Sequence, residues 1–316
     1  MQEFAFEVTL CAHLESPERL VARQLGAAVH GRRIADIVTV TPGPEFDERA
    51  AITPESIPAP AVESGVGPGR AVPITDAFDC RPERARAVAE RAVELGFFER
   101  ARVGGQPAVR QTVRYPDWFD SLVGIENKPD LDRPGDLADQ LRTDVSLGVF
   151  DRVVLATETY VTGAHLNRLP DPVGVWRFDP GTGEREVVRE ATSLDADGPG
   201  IELVDRDATR AEIRPVTAAA KARQRRRLAE RAYGKGWRTY DLPACAQCRA
   251  TDAALPDCSY KGRLVRPTTE CTPDCEGYDP ADPPGVDAEA LRARRSPWEP
   301  DPDGVARRQV GLDRFD

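Results

Sequence analysis

The chain has 316 residues, enough for one large core or for two modest domains with appended segments. Acidic residues outnumber basic ones by 53 to 43, and the net charge is −10. No apolar stretch approaches the roughly 20 residues that a membrane-spanning helix needs, and the N-terminus lacks the basic start of a secretory signal. These features predict a cytoplasmic protein without a membrane partner, and they leave the oligomeric state open.

Lysine is rare, since it supplies only four of the 43 basic residues. An acid-rich, lysine-poor composition resembles that of proteins from salt-loving archaea, and a GC-rich genome that favours Arg, Ala, Gly and Pro codons gives a similar bias. Net acidity does not exclude a nucleic-acid partner, because a local basic groove can lie on an acidic protein.

The first elements are predicted from apolar periodicity. Residues 3–15 read as a helix that carries Glu7 on its apolar stripe, and residues 17–26 read as a second helical stretch. A strand over 33–40 carries Asp36 and is followed by a Pro- and Gly-rich linker over 43–75. A buried acid usually has a partner, so Glu7 is a candidate for a site.

The next stretch predicts a helix over 81–95 and a hairpin turn at Gly104 and Gly105. A helix followed by a Gly-tipped hairpin is typical of a winged helix, and equally of an ordinary αββ insertion.

One of the rare lysines, Lys128, closes a short apolar strand that begins at residue 121 and also carries Glu126. On a strand these two side chains project to the same face, and an acid and an amine are costly to bury without a purpose. A helix over 136–148 with Gln140, a strand over 151–157 and an edge hairpin over 174–188 follow. Strand, helix and strand in this order predict a parallel crossover.

These pieces resemble the PD-(D/E)XK, or restriction-endonuclease-like, nuclease superfamily. The resemblance implies an αβββαβ core and cleavage of DNA with Mg²⁺ or Mn²⁺. It further implies that Asp36 and Glu126 bind the metal, that Lys128 is the catalytic amine, that Glu7 is an auxiliary acid and that Gln140 assists near the phosphate.

The acid of the first strand has rivals in the sequence. Asp36 and Glu126 are 90 positions apart, so the resemblance requires an insertion over about 43–112. Asp117, in a literal Pro-Asp pair, and Asp120 lie closer to Glu126. We favour Asp36 because its surroundings read as a strand, whereas residues 115–120 read as a turn.

Five of the seven cysteines cluster near the C-terminus, which favours a metal site over a disulfide framework. Short pairs at each end, Cys245 with Cys248 and Cys271 with Cys275, predict a structural zinc site, with Cys258 as an alternative ligand. An iron–sulfur cluster that uses an early cysteine, or unliganded thiols, remain alternatives.

A basic stretch precedes these cysteines. It could bind phosphate and stack a base, or it could be a solvated helix face paired with acids. The candidate nucleic-acid-binding residues are Arg225, Arg226, Arg227, Lys235 and Trp237.

The resulting hypothesis is an α/β protein with a restriction-endonuclease-like αβββαβ core, an inserted helical or winged module and a Cys-rich C-terminal segment. Its activity would be metal-dependent DNA cleavage in repair or defence, and the alternative is a non-catalytic nucleic-acid-binding or regulatory protein. The predicted segments are 1–42 and 113–200 (core), 43–112 (insertion), 201–240 (basic and helical), 241–280 (Cys-rich) and 281–316 (disordered tail).

Overall fold

The computed structural model describes residues 2–133, 135–206 and 210–303. Within these ranges no helix combines the length and the apolar character that crossing a membrane requires. The chain forms two compact units. The first comprises the described residues of Met1–Thr41, Ser121–Ala232 and Gly236–Pro297, and the second those of Pro42–Asp120, Tyr233–Lys235 and Trp298–Asp316.

The elements are numbered in chain order. The helices are α1 (Glu3–Leu14), α2 (Phe46–Ala50), α3 (Ala59–Val62), α4 (Ile74–Ala77), α5 (Pro82–Glu94), α6 (Leu137–Leu147), α7 (Gly163–Leu166), α8 (Ala218–Lys235), α9 (Pro267–Glu270) and α10 (Ala288–Arg295). The strands are β1 (Leu20–Gly26), β2 (Ile34–Pro42), β3 (Val72–Pro73), β4 (Phe98–Val103), β5 (Gln106–Gln111), β6 (Phe119–Asn127), β7 (Arg152–Thr157), β8 (Gly174–Phe178), β9 (Arg185–Arg189), β10 (Gly200–Arg206), β11 (Ala211–Val216), β12 (Cys248–Ala250), β13 (Pro256–Cys258) and β14 (Arg263–Leu264).

A mixed sheet with the order β1-β2-β6-β7-β8-β9 is the framework of the first unit. Strands β1 and β2 are antiparallel, β7 is parallel to both β6 and β8, and β9 is antiparallel to β8. Asp36 on β2 lies beside Asn127, and Thr41 lies beside Ser121, so β2 and β6 run in opposite directions. The chain thus passes through α1, three successive antiparallel strands, α6 and then a strand parallel to the third.

Helix α1 packs on one face of this sheet. The helix is apolar on almost all sides, as expected of a buried helix, and its residues share a core cluster with Ile37, Ile125 and Val154. Because side chains alternate along a strand, Glu126 projects away from this cluster. At the other end of the crossover, α6 terminates at Gly148, whose left-handed φ of 62° is tolerated best by glycine.

The predicted helix over 17–26 is wrong, because these residues contain strand β1. Arg, Gln, Leu and Ala favour helices in isolation, but the ladder with β2, from Leu20 opposite Val40 to Gly26 opposite Ile34, outweighs that preference. Gln24 also adopts a φ of 53°, which interrupts the alternation of buried and exposed side chains along β1. The sequence of β1 therefore lacks the regular pattern of a strand.

The segments after residue 200 also differ from the prediction. Residues 200–206 and 211–216 pair as the antiparallel strands β10 and β11, so only the later part of the predicted basic segment is helical. The predicted disordered tail contains α10, which begins at the N-cap Asp287 and buries Leu291. Residues 304–316 of that tail lie outside the described residues.

The second unit contains the sheet β3-β5-β4 and a small core against α5. The predicted helix and hairpin are both present, as α5 and as β4 with β5. Gly104 and Gly105 form the turn with φ values of 57° and 81°. Side chains of α5 that pack inward are small, with Ala85, Ala89 and Ala92 buried.

Candidate functional site

Four carboxylates of the first unit are linked electrostatically through Asp36. Glu7 comes from α1, Asp36 from β2, Glu126 from β6 and Asp144 from α6. Glu7, Glu126 and Asp144 are at most 6% exposed, and the charge of Asp36 raises the pKa of each of them. The sequence-predicted acids on three different elements are therefore brought into one electrostatic cluster.

Asp36 is held by the neighbouring strand. Its Oδ2 accepts hydrogen bonds from the backbone N–H of Asn127 at 3.0 Å and from the Asn127 side-chain amide at 2.9 Å. The other amide atom, Asn127 Oδ1, is buried and has no hydrogen-bond partner among the described residues. A buried acceptor without a partner costs about 1–3 kcal/mol, so this position is prepared to receive a donor or a cation.

Gln24 joins two of the acids. Its side-chain amide donates to Glu7 Oε1 at 3.0 Å and to Asp36 Oδ1 at 3.4 Å. The residue adopts a left-handed φ of 53°, which is uncommon outside glycine and is associated with functional sites. Arg23 also donates to Glu7 Oε1, at 3.0 Å, so Glu7 has a fixed orientation.

Arg33 joins the other two acids. Its guanidinium contacts Asp144 through two hydrogen bonds, at 3.0 and 2.7 Å, and its Nη2 also donates to Glu126 Oε2. All three side chains are at most 10% exposed. Bidentate Arg–carboxylate contacts are strong and directional, so Arg33 neutralises this side of the cluster.

Burial is the largest cause of the raised pKa values in the acid cluster. Burial, followed by the charge of Asp36, raises the pKa of Glu126 to about 9, although Arg33 opposes the shift. Burial also raises the pKa of Glu7 and of Asp144, against the opposing effects of Arg23 and Arg33. Clustered buried acids whose pKa values are displaced upward mark a candidate functional site.

Lys128 follows β6 directly and is half-buried. Its backbone N–H donates to Ala156 O at 2.9 Å, and the carbonyl of the next residue, Pro129, accepts from the hydroxyls of Thr157 and Thr159. The backbone around Lys128 is thus anchored, whereas its ammonium forms no ion pair with any residue that the structure describes.

Gln140 lines a cavity of about 460 Å³ together with Arg33. Its side-chain amide donates to Asp136 Oδ2 at 3.2 Å. The cavity wall also carries further charged side chains of both signs, namely Arg32, Arg214, Asp136, Asp139, Glu202 and Asp205. The predicted helper residue therefore lies near the Arg33 side of the acid cluster.

The rival acids occupy other positions. Asp117 precedes β6 and is exposed, and its backbone N–H donates to Glu45. Asp120 lies at the start of β6, six residues before Glu126, or about 20 Å along an extended strand. Of the three candidate acids, Asp36 is the one whose charge acts on Glu126.

In this arrangement, the described residues contain no group of three or more His, Cys, Asp or Glu side chains already positioned to hold a metal ion. In the acid cluster, carboxylate oxygens that could bind a metal ion are already occupied, because Arg33 donates hydrogen bonds to Glu126 Oε2 and to both oxygens of Asp144. The carboxylates are nevertheless the ligand type that Mg²⁺ and Mn²⁺ prefer.

A family model described as "Family of unknown function (DUF5787)" matches residues 20–280. The chain belongs to the DUF5787 family. Neither the curated proteins nor the solved structures include a match. The matched range of this DUF5787 chain includes Asp36, Glu126, Lys128 and the five clustered cysteines, whereas Glu7 lies before it.

Two of the predicted nucleic-acid-binding residues in this DUF5787 member are structural, and that part of the prediction is corrected. Trp237 is 1% exposed and donates to Glu15 Oε1 at 3.0 Å, so no ring face is open to a base. Arg225 is buried and holds Asp151 and Val149 O. Arg226 and Arg227 are half-buried, and Lys235 is exposed.

The cysteines of the first unit lie in two environments. Cys11 is buried in the core under the main sheet, with Glu7 and Glu15 among the charges that act on it, so it lies apart from the late thiols. Burial, followed by the charges of Cys271, Cys258 and Cys245, raises the pKa of Cys248 to about 11. The late thiols therefore form a cluster that includes Cys258.

Three residues of the acid cluster were not predicted: Gln24, Arg33 and Asp144. Asp144 is 3% exposed on α6, where Leu137, Leu141 and Leu147 are the other buried side chains. An acid on an apolar helix stripe was the signal used for Glu7, and the same signal would have identified Asp144. Arg33 and Gln24 carry no comparable signal in the sequence.

Proposed function

We propose that this protein is a nuclease that cleaves DNA with Mg²⁺ or Mn²⁺ bound at Asp36 and Glu126. The observation that carries the proposal is that Asp36 on β2 and Glu126 on β6 lie on neighbouring strands at the end of β6, directly before Lys128. Asp144 is joined to Glu126 through Arg33, and Glu7 is joined to Asp36 through Gln24. The order α1, β1, β2, β6, α6 and β7 supports a restriction-endonuclease-like αβββαβ core, with Pro42–Asp120 placed between its second and third strands.

The donor set fits a hard divalent cation. Asp36 and Glu126 offer carboxylate oxygens, and the unpartnered Asn127 Oδ1 lies at the residue that holds Asp36. When Glu126 binds a metal ion instead of Arg33, Arg33 keeps its two hydrogen bonds to Asp144. The buried guanidinium therefore still has a charged partner. Glu7, fixed by Arg23 and Gln24, adds charge and an outer acceptor.

A bound Mg²⁺ or Mn²⁺ supplies a Lewis acid that polarises a phosphoryl oxygen and lowers the pKa of bound water. The chain itself supplies the remaining parts. The Lys128 ammonium, which forms no ion pair among the described residues, stabilises negative charge that develops on the phosphate. Gln140 and Arg33, on the wall of the 460 Å³ cavity, donate hydrogen bonds that orient the phosphodiester.

The test is cleavage of plasmid and of single- and double-stranded oligonucleotides with Mn²⁺ in high salt. Removal of a single donor to the developing charge typically costs about 10²–10³ in rate, so Lys128→Ala should lose cleavage by that factor. The exposed Arg168→Ala is the matched control and should cleave as the wild type does. Cleavage unchanged in Lys128→Ala would refute the role assigned to Lys128.

A specific observation favours a second candidate function, non-catalytic nucleic-acid binding through the second unit. Helix α5 is followed by the β4–β5 hairpin, β3 pairs with β5, and Arg84, Arg100 and Arg102 are exposed. A helix and a basic hairpin of this kind suit a DNA groove and its phosphates. This candidate predicts that the protein binds DNA in a salt-sensitive way and does not cleave it with any divalent metal. It also predicts that Arg84→Glu and Arg100→Glu lose this binding.

A further inference from the structure

Two buried thiols face each other in the small sheet near the C-terminus. Cys248 on β12 is directly opposite Cys258 on β13. Side chains at opposite positions of an antiparallel pair lie on the same face, with Cβ atoms about 4.5–5.5 Å apart. Both residues are at most 9% exposed. The pair therefore forms one side of a sulfur cluster.

Cys245 joins this pair through a turn. The backbone N–H of Cys248 donates to Cys245 O at 2.9 Å, and the backbone N–H of Asp279 donates to Cys245 Sγ at 3.5 Å. Backbone donors to sulfur are the contacts that stabilise a thiolate and orient a metal ligand. Cys245 also forms a β-bridge with Pro280, which closes the segment on itself.

The fourth thiol is Cys271 rather than Cys275. Cys271 follows α9 directly, and the last residue of α9, Glu270, forms an ion pair with Arg263, which is opposite Cys258 in the pairing of β13 with β14. Cys275 lies four residues after Cys271. Its backbone N–H donates to Thr272 O at 2.9 Å, and the next residue, Glu276, accepts from the Tyr260 hydroxyl at 3.4 Å.

We propose that Cys245, Cys248, Cys258 and Cys271 bind one structural zinc ion, and that Cys275 lies outside the ligand set. All four are free thiols, and four sulfurs are a donor set that selects zinc over hard cations. Among the described residues no group of thiols is already placed to hold a metal ion, so zinc binding would require the four side chains to move together and to be deprotonated.

Binding of zinc at these cysteines would affect a second cavity, of about 280 Å³. Its wall combines Glu7, Arg23 and Gln24 with Arg266 and Thr268. Pro267 and Thr268 belong to α9, which ends one residue before Cys271. A metal ion at Cys271 therefore fixes the wall that faces Glu7. This inference does not depend on the proposed nuclease activity.

The first measurement is the elemental content of the purified full-length protein by plasma mass spectrometry, together with its visible absorption spectrum. We expect one zinc per chain, no iron and no colour. We also expect zinc to be lost in Cys248→Ser and Cys258→Ser and to be kept in Cys275→Ser. Absence of metal, stoichiometric iron with sulfide, or zinc kept in Cys258→Ser and lost in Cys275→Ser would each overturn the proposal.

A second measurement avoids variants that fail to fold. The wild-type protein is alkylated with and without a zinc chelator, and the modified cysteines are located by peptide mass spectrometry. Cys271 and Cys275 are both half-buried, so they are matched internal controls. The chelator should accelerate alkylation of Cys271 together with Cys245, Cys248 and Cys258, and should leave Cys275 unchanged. Equal acceleration of Cys271 and Cys275, or no acceleration of either, would refute the ligand set.

Discussion

At the scale of single residues, the sequence predicted Glu126 and Lys128 because both stand at the end of an apolar strand, where buried charge is costly. It also ranked Asp36 above Asp117 and Asp120, and the structure places Asp36 beside Asn127 on the neighbouring strand. Arg33 could not be predicted, since its role depends on two acids that are 93 and 111 positions away in sequence. Nothing local distinguishes Arg33 from the other arginines.

The raised pKa of Glu126 predicts how stability depends on pH. The pKa rises from its ordinary 4.5 to about 9 on folding, so the folded protein holds one more proton than the unfolded chain between these values. This group's contribution to the free energy of unfolding therefore falls as pH rises through that window. Glu126→Gln should flatten the decline, measured by chemical denaturation from pH 5 to 9 without added divalent metal.

The control for this prediction is Glu184→Gln, in the exposed turn between β8 and β9. That variant should reproduce the pH dependence of the wild type. A slope in Glu126→Gln equal to that of the wild type would show that Glu126 is ionised over the whole window, contrary to the account.

At the scale of elements, strong periodicity predicted α1, α5, α6, β2, β6, β7 and the β8–β9 hairpin. Strand β1 was missed because Gln24 adopts a left-handed backbone and breaks its alternation. Its edge position and its ladder with β2 are tertiary effects that local propensity does not contain. The antiparallel pair β10 and β11 was missed for a related reason, since the basic composition nearby favoured a helix.

The crossover from β6 to β7 depends on a close contact at Gly124. A Cβ at this position would lie 2.6 Å from Phe150 Cδ2, and Phe150 is fully buried. Gly124→Ala should therefore lower the free energy of unfolding by about 1–3 kcal/mol through overpacking. The matched control is Gly65→Ala, which meets no atom within 4 Å and should change stability little. Equal stabilities in a denaturant titration would contradict this packing.

At the scale of the whole molecule, the length of the chain allowed one large core or two modest domains, and it could not predict which distant segments join each unit. Tyr233–Lys235 and the described part of Trp298–Asp316 belong with Pro42–Asp120. Trp298 shows the reason, since its indole N–H donates to Pro54 O at 2.9 Å and its ring is 6% exposed. Such a contact joins residues that are far apart in the chain, and no local sequence pattern indicates it.

The charge of the whole chain predicts stabilisation by salt. With a net charge of −10, screening of like charges should raise the unfolding temperature by several degrees as KCl increases from about 0.1 to about 1 M, where the Debye length falls from about 10 to about 3 Å. The increase should shrink near pH 5.1, the isoelectric point of the sequence. A thermal shift series with the same slope at both pH values would rule out net-charge repulsion as the cause.

The most direct test of the acid cluster is calorimetric titration of Mn²⁺ into the wild type, Asp36→Asn, Glu126→Gln and the exposed control Glu184→Gln. The account predicts saturable binding to the wild type and to Glu184→Gln, and affinity at least about tenfold weaker, or about 1.4 kcal/mol, in Asp36→Asn and Glu126→Gln. Equal affinity in all four proteins, or no saturable binding to the wild type, would contradict it.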